Sequence, residues 1–366
     1  TGGFSGATQV AVDLVDAHLR SGRFDPLLVL RRKRQTPQDR VDALRARGLP
    51  VEEVPGYSHA ATITALVRIC RRFRPDILVA HGFSDHLWAR YAGLMASVPH
   101  LVHVEHNPRE RYTRWRLAQA RWLDTRTALV IGASEGIRER LLEIGIGTGR
   151  IIAIPNGIRL APYAPAATLP WAPRQPGIVM AARYARQKDH LTVIRACALL
   201  KARGIEARIL FAGDGSARHK KAAHALVEQL GVQDNIRFLG HHADIPGLLM
   251  QNRICLLSTH YEATTLALIE GMAAGCVAIG SRVTGVEELI RHGENGFLFA
   301  EGDADDLADV LAQVLAAPPG MAAIADTGRQ HAHAHHSQDL TTTRYEQALL
   351  ALLRPSTDQQ PVSTRP

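Results

Sequence analysis

Cysteine is scarce in this 366-residue sequence, and long apolar runs are absent from it. The four cysteines lie far apart, mostly in apolar segments, at positions 70, 197, 255 and 276. Their spacing fits neither a zinc site nor a disulfide framework, so a reducing compartment is predicted. No run approaches the roughly 18 apolar residues that a membrane-spanning helix needs. We therefore expect a globular protein of the cytoplasm.

Acidic side chains are outnumbered by basic ones, and the excess is confined to one half of the chain. The net charge is +8. Residues 1–160 hold 24 Lys and Arg against 15 Asp and Glu, whereas the remainder is nearly neutral. A basic half predicts contact with an anionic partner, such as phospholipid or a pyrophosphate-linked acceptor. Arg-rich helix faces turned to solvent would give the same count, so both interpretations stay open.

Short apolar segments alternate with amphipathic helical patterns along most of the chain. The segments predicted as strands are 26–30, 76–80, 101–104, 128–131, 151–154, 178–182, 208–212, 254–257 and 276–279. This alternation predicts βαβ units and parallel sheets, and the length predicts two domains. In sheets of this kind, ligands bind in the crevice at the carboxyl ends of the strands.

The most informative stretch is residues 258–296, which contains two carboxylates near the carboxyl end of a predicted strand. Glu262 follows a predicted strand, and Glu270 lies eight residues later, within a helix that Thr264 or Thr265 caps and Gly275 ends. The two backbone positions are then about 12 Å apart. Paired carboxylates of a glycosidase act across one bond at shorter range. The spacing favours a longer ligand, with an anionic group near the helix start.

This stretch resembles the Glu-x7-Glu segment of the retaining GT-B-fold glycosyltransferases of family 4. The resemblance continues through Met272-Ala273-Ala274-Gly275, Thr284-Gly285-Val286-Glu287-Glu288-Leu289-Ile290 and Asn295-Gly296-Phe297-Leu298. It implies two facing Rossmann-like domains with parallel sheets and a C-terminal crossover helix. It also implies transfer of a sugar from a nucleoside diphosphate with retained anomeric configuration.

The resemblance assigns roles within the stretch. Glu262 would contact the hydroxyls of the donor sugar and Glu270 the ribose hydroxyls, although both could instead be solvated helix-end carboxylates. The family commonly has Gly-aromatic-Gly after the first Glu, whereas Ala263, Thr264 and Thr265 follow here, before Leu266. Backbone N–H groups of these four residues can still bind phosphate, but we expect an altered sugar pocket.

Cationic side chains follow the strand predicted at 178–182. A guanidinium offers a planar fork to phosphate oxygens and an ammonium a point charge, so a strand-end loop with both suits a diphosphate. Arg183 and Lys188 match the family's diphosphate-binding pair, although solvated loop cations would look the same. Because such cations can replace a metal, we expect neither metal nor cofactor. Residues 235–240 form a further predicted strand, and the resemblance implies that backbone groups at its end, around Leu239, Gly240 and His241, hold the base of the donor. Gly213, in a turn after the preceding strand, is also predicted to bind the donor.

Two features of the first half match the family. His106 lies just past a predicted strand, where the family's histidine approaches the transferred sugar; His81 is a weaker candidate for the crevice. Gly2 and Gly3 resemble the glycine loop between the family's first strand and first helix, and are predicted to bind the donor. Because the sequence starts with Thr1, we expect that this first strand and an N-terminal piece are missing from it.

The domain organisation follows from these assignments. Residues 1–160 are predicted as an acceptor-side Rossmann-like domain, residues 161–176 as a Pro/Ala-rich linker, and residues 177–338 as the donor-binding domain. Residues 339–354 are predicted as the crossover helix and residues 355–366 as a disordered tail.

Two motifs have competing interpretations. Residues 109–126 interleave arginine with Trp115 and Trp122, which lie seven apart and are predicted to form a core-facing stripe. A membrane or lipid-acceptor contact is the second interpretation, and nucleic acid a distant third. Ser134 sits in a G-x-S-x-G pattern typical of hydrolase nucleophiles, but serine is equally a helix N-cap residue.

The predicted function is a metal-independent retaining glycosyltransferase acting in surface polysaccharide or glycolipid assembly, and the resemblance implies His106, Arg183, Lys188 and Glu262 as its catalytic residues. The expected donor is a UDP-sugar, with a GDP-sugar second, and the expected acceptor is a sugar or lipid-linked molecule at the inner face of the cytoplasmic membrane. The alternatives are a nucleotide-sugar epimerase or phosphorylase, a non-catalytic nucleotide-sugar-binding protein, and a serine hydrolase that uses Ser134.

Overall fold

The structure, a computed structural model, describes residues 6–33, 36–107, 112–317 and 319–354, without the side chains of residues 83 and 84. The predictions for Gly2, Gly3 and the tail 355–366 lie outside these residues. None of the helices in the described part of the chain is long and apolar enough to cross a membrane.

The first half forms the expected alternation of helices and parallel strands. Its elements are α1 (Gly6–Ser21), β1 (Leu28–Arg32), α2 (Gln38–Ala46), β2 (Val51–Pro55), α3 (His59–Phe73), β3 (Ile77–His81), α4 (Phe83–Met95), β4 (His100–Glu105), α5 (Arg114–Asp124), β5 (Leu129–Gly132), α6 (Glu135–Glu143) and β6 (Ile151–Ala153). The sequence pattern missed only β2, whose two adjacent glutamates mask its apolar character.

These strands form two separate sheets. β1 pairs in parallel with β2, and β3 to β6 form a four-stranded parallel sheet. A cavity of about 440 Å³ lies between them, lined by Val29 from β1, Leu78 and Val79 from β3, and Leu14 and Leu349 from helices. The expectation that one strand is missing from the sequence stays a prediction.

The second half forms one six-stranded sheet. Its elements are a 3-10 helix (Ala161–Ala167), β7 (Gln175–Ala181), α7 (His190–Ala202), β8 (Arg208–Ala212), α8 (Ala217–Leu230), β9 (Ile236–Gly240), α9 (Ile245–Gln251), β10 (Asn252–Leu257), α10 (Leu266–Ala273), β11 (Val277–Ser281), α11 (Thr284–Glu287), β12 (Phe297–Phe299), α12 (Ala304–Leu315), α13 (Met321–His335) and α14 (Gln338–Leu353).

The strand order is β12-β11-β10-β7-β8-β9, and every pair is parallel. The order reverses at β7, which lies between β10 and β8, so the crevice opens beside the carboxyl ends of these strands. Arg183, Lys188 and Glu262 were predicted to lie at this place.

Two passages of chain connect the halves, and they touch. Ile158 donates its N–H to the carbonyl of His336 at 2.9 Å and accepts the N–H of Gln338 at 2.8 Å. Beyond this point α14 packs Tyr345 and Leu349 against the core of the four-stranded sheet. In the segment predicted as a linker, the 3-10 helix buries Tyr163 and Ala166, and Tyr163 joins the core of the second half.

Candidate functional site

The loop after β7 is bonded to the loop after β10. Lys188 and Thr259 form an antiparallel bridge. On either side of it, Asp189 donates its N–H to the Ser258 carbonyl and His260 donates to the Gln187 carbonyl, both at 3.0 Å. Two strand ends that are about 70 residues apart in sequence therefore form one continuous surface.

Glu262 is the centre of this surface. Its Oε1 forms an ion pair with the Lys188 ammonium and accepts hydrogen bonds from Gln187 Nε2 and Thr259 Oγ1, each at 3.0 Å. The Glu262 and Lys188 side chains are only 10% and 14% exposed. Within the described residues, no donor reaches Oε2, so this oxygen can accept a hydroxyl from a ligand. The structure thus brings together two of the residues predicted for catalysis.

The residues predicted to bind the base and the diphosphate come together at the carboxyl ends of β7, β8 and β9. Gly213 donates its N–H to the Gly240 carbonyl at 2.7 Å. With φ +151°, Gly213 also lies so close to the Ala182 carbonyl oxygen that a Cβ would stand 2.2 Å from it. Arg183, which follows Ala182 in the chain, is exposed. Leu239 is half-buried and His241 is exposed, so the strand-end backbone of β9 is accessible.

Glu270 lies in α10, one turn beyond the helix start. Burial raises the pKa of its carboxyl to about 7. The carboxylate is therefore near its titration point at neutral pH, and a ligand hydroxyl that donates to it would favour the ionised form.

The segment that departs from the family pattern contacts the first domain. Thr264 Oγ1 donates to the Ala133 carbonyl at 2.6 Å, and Ala263 packs against the apolar cluster beneath β5. Thr265 occupies the N-cap position of α10, before Leu266, but its hydroxyl makes no capping bond. The predicted side-chain cap is therefore wrong, because Thr264 is used between the domains and the Thr265 hydroxyl is buried without a partner in the described residues.

His106 faces the same junction from the first domain. The carbonyl of Glu105 accepts the N–H of Ala133 at 3.0 Å, so His106 is one residue away from the strand end that Thr264 contacts. His81 Nδ1 and His106 Nε2 are 3.0 Å apart. Burial, and then neighbouring histidines, lower the pKa of His106 to about 4 and the pKa of His81 well below its usual value. The two neutral rings therefore share one N–H through complementary tautomers.

A buried polar group behind His106 was not found from the sequence. Glu105 Oε1 accepts the N–H of His106 at 2.8 Å, and burial raises the pKa of its carboxyl to about 7. His86, His103 and Glu105 place their ligand atoms within 4.8 Å of one another. However, Arg90 Nη2 lies 2.7 Å from His86 Nδ1, and the His86 and His103 rings stack at 4.0 Å. A guanidinium at this distance opposes a bound cation.

An acidic pair elsewhere has the spacing of an Asp-x-Asp metal motif. Asp303 and Asp305 flank Ala304 at the start of α12. The Asp303 carboxylate accepts the N–H groups of Asp305 and Asp306, each at 3.0 Å, as a helix N-cap. Capping accounts for Asp303 without a metal.

Ser134 has a structural role. Its side chain is buried, and its Oγ accepts the Ile137 N–H at 3.3 Å as the N-cap of α6. Glu288 from the second domain accepts the N–H groups of Glu135 and Gly136 beside it. A hydroxyl that is covered by the opposite domain lacks the exposure that a hydrolase nucleophile needs.

The predicted core stripe of α5 is wrong. Trp115 is 73% exposed and Trp122 is 48% exposed. The buried face is formed instead by Ala120, Leu123 and Asp124. The seven-residue spacing correctly placed both indoles on one face, but the small and aliphatic residues opposite them provide the contact with the core.

Comparisons with known proteins agree with this geometry. Residues 4–161 match the family model described as Glycosyltransferase Family 4, and residues 167–331 match the model described as Glycosyl transferases group 1. Among curated relatives, N-acetyl-alpha-D-glucosaminyl L-malate synthase of Bacillus anthracis is 30% identical over 41% of this chain and 39% of its own length. Lipopolysaccharide core biosynthesis glycosyltransferase LpsE of Rhizobium meliloti is 26% identical over 61% and 64%. The matched segments thus span less than two thirds of either relative.

A solved structure resembles almost the whole chain. Anabaena Alr3699/HepE in complex with UDP superimposes with a TM-score of 0.83 at 19% identity, covering 96% of this chain and 98% of that one. At such low identity the likeness establishes the fold. The predicted α/β architecture of two facing Rossmann-like domains is therefore confirmed as GT-B.

Proposed function

The chain belongs to the family 4 glycosyltransferases with the GT-B fold, and from this premise we propose that it transfers a sugar from a nucleoside-diphosphate sugar to an acceptor. The observation that carries the proposal is the Lys188–Glu262 ion pair, which joins two strand ends at the crevice of the second domain. A cation for the diphosphate and a carboxylate for the sugar are thereby fixed side by side.

The donor site is proposed as follows. Arg183 and Lys188 bind the diphosphate, and the start of α10 adds the Thr265 N–H and a favourable dipole. The Leu266 N–H donates to the Thr264 carbonyl at 3.2 Å. Glu270 accepts the ribose hydroxyls. The backbone of Gly213, Leu239, Gly240 and His241 holds the base. A UDP-sugar is favoured over a GDP-sugar because similar structures bind UDP and UDP-glucose.

The proposed reaction retains the anomeric configuration and needs no metal. The bond between the anomeric carbon and the diphosphate oxygen breaks, the acceptor oxygen bonds to the same face of that carbon, and the acceptor proton passes to the departing diphosphate. Arg183 and Lys188 stabilise the negative charge that develops on the leaving group. Glu262 Oε2 orients the sugar hydroxyls, while His106 contacts the sugar from the first domain.

The proposed acceptor is lipid-linked, and the enzyme acts at the inner face of the cytoplasmic membrane. The basic excess of residues 1–160 supports this assignment, as does the name of the relative that acts in lipopolysaccharide core biosynthesis. Anionic lipid attracts a basic domain at physiological salt.

The donor site is tested by calorimetric titration of UDP, GDP, ADP and dTDP into the protein. We expect saturable binding of one nucleotide, weakened at least about tenfold in Lys188→Ala because a charge-assisted contact to phosphate is lost. Lys201→Ala is the matched control, since Lys201 lies in the last turn of α7, away from the strand end that carries Lys188, and donates to the Gly231 carbonyl.

The outcomes separate the alternatives. Absence of binding to every nucleotide would overturn the proposal. Binding without transfer to any sugar or lipid-linked acceptor would indicate a nucleotide-sugar-binding protein. Product analysis that finds an isomerised donor, or phosphate exchange without a distinct acceptor, would indicate an epimerase or a phosphorylase.

A further inference from the structure

Helix α5 presents an aromatic face to solvent. Trp115 and Trp122 are seven residues apart and point the same way, and both are among the most exposed large apolar side chains described. Indole rings that stand in water at two successive positions of one face lose the burial that normally stabilises them. The face therefore favours a partner that covers it.

The exposed charged side chains described next to this aromatic face are basic. Arg114, Arg121 and Arg126 are exposed on α5 and just after it, and Arg121 Nε donates to the Ile144 carbonyl at 2.8 Å. The only acid of the helix, Asp124, is buried and turned the opposite way, where its Oδ2 accepts the N–H of Gly147 at 2.9 Å. The exposed side of α5 thus combines tryptophan with arginine and carries no carboxylate.

The neighbouring helix α4 extends the surface. Tyr91 stacks on Trp122 with ring centroids 5.9 Å apart, and Met95, one turn further along α4, is 60% exposed. Arg126 lies over the Trp122 ring at 4.0 Å. We call these residues, Tyr91, Met95, Arg114, Trp115, Arg121, Trp122 and Arg126, the Trp–Arg face.

We propose that the Trp–Arg face docks on the surface of an anionic lipid bilayer. Tryptophan is favoured at the interface between headgroups and hydrocarbon, and arginine beside it interacts with anionic headgroups. Nucleic acid fits less well, because Trp122 already contacts Tyr91 and Arg126 and so does not offer a free ring for base stacking. The proposal rests on the proposed function only in placing the acceptor in the membrane.

The location of the face agrees with such a reaction. α5 begins after the carboxyl end of β4, so Trp115, in its first turn, lies toward the edge of the sheet that carries His106, whereas Trp122 and Met95, in the last turns of α5 and α4, lie toward the opposite edge. Docking through the length of the helix would place the bilayer along the side of the first domain, with the acceptor side of the crevice near the end that carries Trp115. An acceptor whose lipid stays in the membrane can then present its sugar to the crevice.

The test is flotation of the full chain with vesicles of phosphatidylcholine and phosphatidylglycerol, at about seven to three, in about 50 mM NaCl. We expect binding to these vesicles and little binding to phosphatidylcholine alone. The triple variant R114Q/R121Q/R126Q should bind on the order of a hundredfold more weakly. The double variant W115S/W122S should lose the blue shift of tryptophan fluorescence on vesicle addition.

Matched controls separate this face from overall charge. R20Q/R45Q/R47Q removes three exposed arginines that are paired with acids on α1, α2 and β2, and Tyr57→Ser removes an aromatic ring that is 87% exposed elsewhere. Both should bind vesicles as the parent does. Thermal melting and nucleotide binding by every variant show that the fold and the donor site are intact.

The outcomes decide the proposal independently of the donor site. Vesicle binding lost in the α5 variants and kept in the controls supports it, whether or not any nucleotide binds. Equal loss in the R20Q/R45Q/R47Q control would overturn it in favour of diffuse electrostatic attraction. No vesicle binding by the parent chain would also overturn it, as would arginine-dependent binding of single-stranded RNA alone.

Discussion

Glu288 caps a helix of the opposite domain, and its closest contact is Gly136. The Oε1 atom of Glu288 accepts the Gly136 N–H at 2.7 Å, and Oε2 accepts the Glu135 N–H at 3.2 Å. The N-terminus of α6 carries partial positive charge, so a carboxylate there is favourable. Together with the bond from Thr264 to Ala133, this contact holds the two domains against each other.

Gly136→Ala should separate the domains without removing a charge. A Cβ at this position would stand 2.4 Å from Thr284 Cγ2 and 2.7 Å from Glu288 Oε1. We expect a larger radius of gyration in small-angle scattering and a higher KM for the acceptor. Glu288→Gln keeps an acceptor and should cost only about 0.5–1 kcal/mol of unfolding free energy. A G136A protein with unchanged scattering would contradict the assigned contact.

Glu262→Ala should separate catalysis from nucleotide binding. The variant loses the carboxylate that orients the sugar, so kcat should fall on the order of 10²- to 10³-fold. UDP should bind as well as before or more tightly, because Lys188 loses its counter-charge. Steady-state kinetics and calorimetry measure the two effects. Glu287→Ala, at an exposed carboxylate beside Arg282, is the control, and equal losses in both variants would refute the role of Glu262.

Glu270 should make both stability and donor binding depend on pH near neutrality. Burial raises the pKa of its carboxyl from 4.5 to about 7, so the folded state binds the proton more tightly than the unfolded state. The contribution of Glu270 to stability is therefore lost as pH rises from about 4.5 to about 7. Nucleoside-diphosphate affinity should change in the opposite direction, because the ionised carboxylate is the better acceptor for ribose hydroxyls.

Glu270→Gln tests this assignment. The variant should be more stable than the parent at about pH 8, by about 3 kcal/mol, and equally stable near pH 4. Its UDP affinity should be weaker than that of the parent at high pH and should no longer rise between pH 6 and about pH 8. Denaturant titrations and calorimetry at each pH provide the data. A parental pH profile that survives the substitution would place the titrating group elsewhere.

Gly157→Ala should destabilise the bridge between the two chain segments that connect the domains. A Cβ there would stand 2.3 Å from the Ser337 carbonyl oxygen and 2.8 Å from the Gln338 N. Because these are backbone atoms in a hydrogen-bonded bridge, we expect a loss of about 2–3 kcal/mol. Gly149→Ala is the control, since nothing lies within 4 Å of its would-be Cβ. Thermal melts of both variants measure the difference, and equal melts would contradict the close contact.

The elements of the fold were predictable where one local pattern determined them. Apolar runs identified the buried strands, and the left-handed Gly275, with φ +73°, ends α10 as the sequence indicated. β2 was missed because Glu52 and Glu53 break its apolar run. The exposure of Trp115 and Trp122 could not be predicted, because periodicity places residues on a common face without telling which face meets the core.

The residues of the site could be predicted from the sequence, but the contacts between them could not. The positions of Lys188 and Glu262 at strand ends followed from the pattern, while their ion pair depends on parallel packing of strands that are distant in sequence. Glu105 gave no signal, because one acid at the end of an apolar strand resembles a solvated residue. Glu288 belonged to a recognised motif, yet its bond to Gly136 spans 152 residues and two domains.

The bridge between Ile158 and Ser337 has a mechanical consequence. Two separate tethers would let the domains slide as well as rotate. The two connecting segments are hydrogen-bonded to each other at one point. Sliding of one domain along the other would therefore break the hydrogen bonds of Ile158. Rotation about this crossing point would keep those hydrogen bonds, so we expect the crevice to open by rotation, which changes the distance between His106 and Glu262.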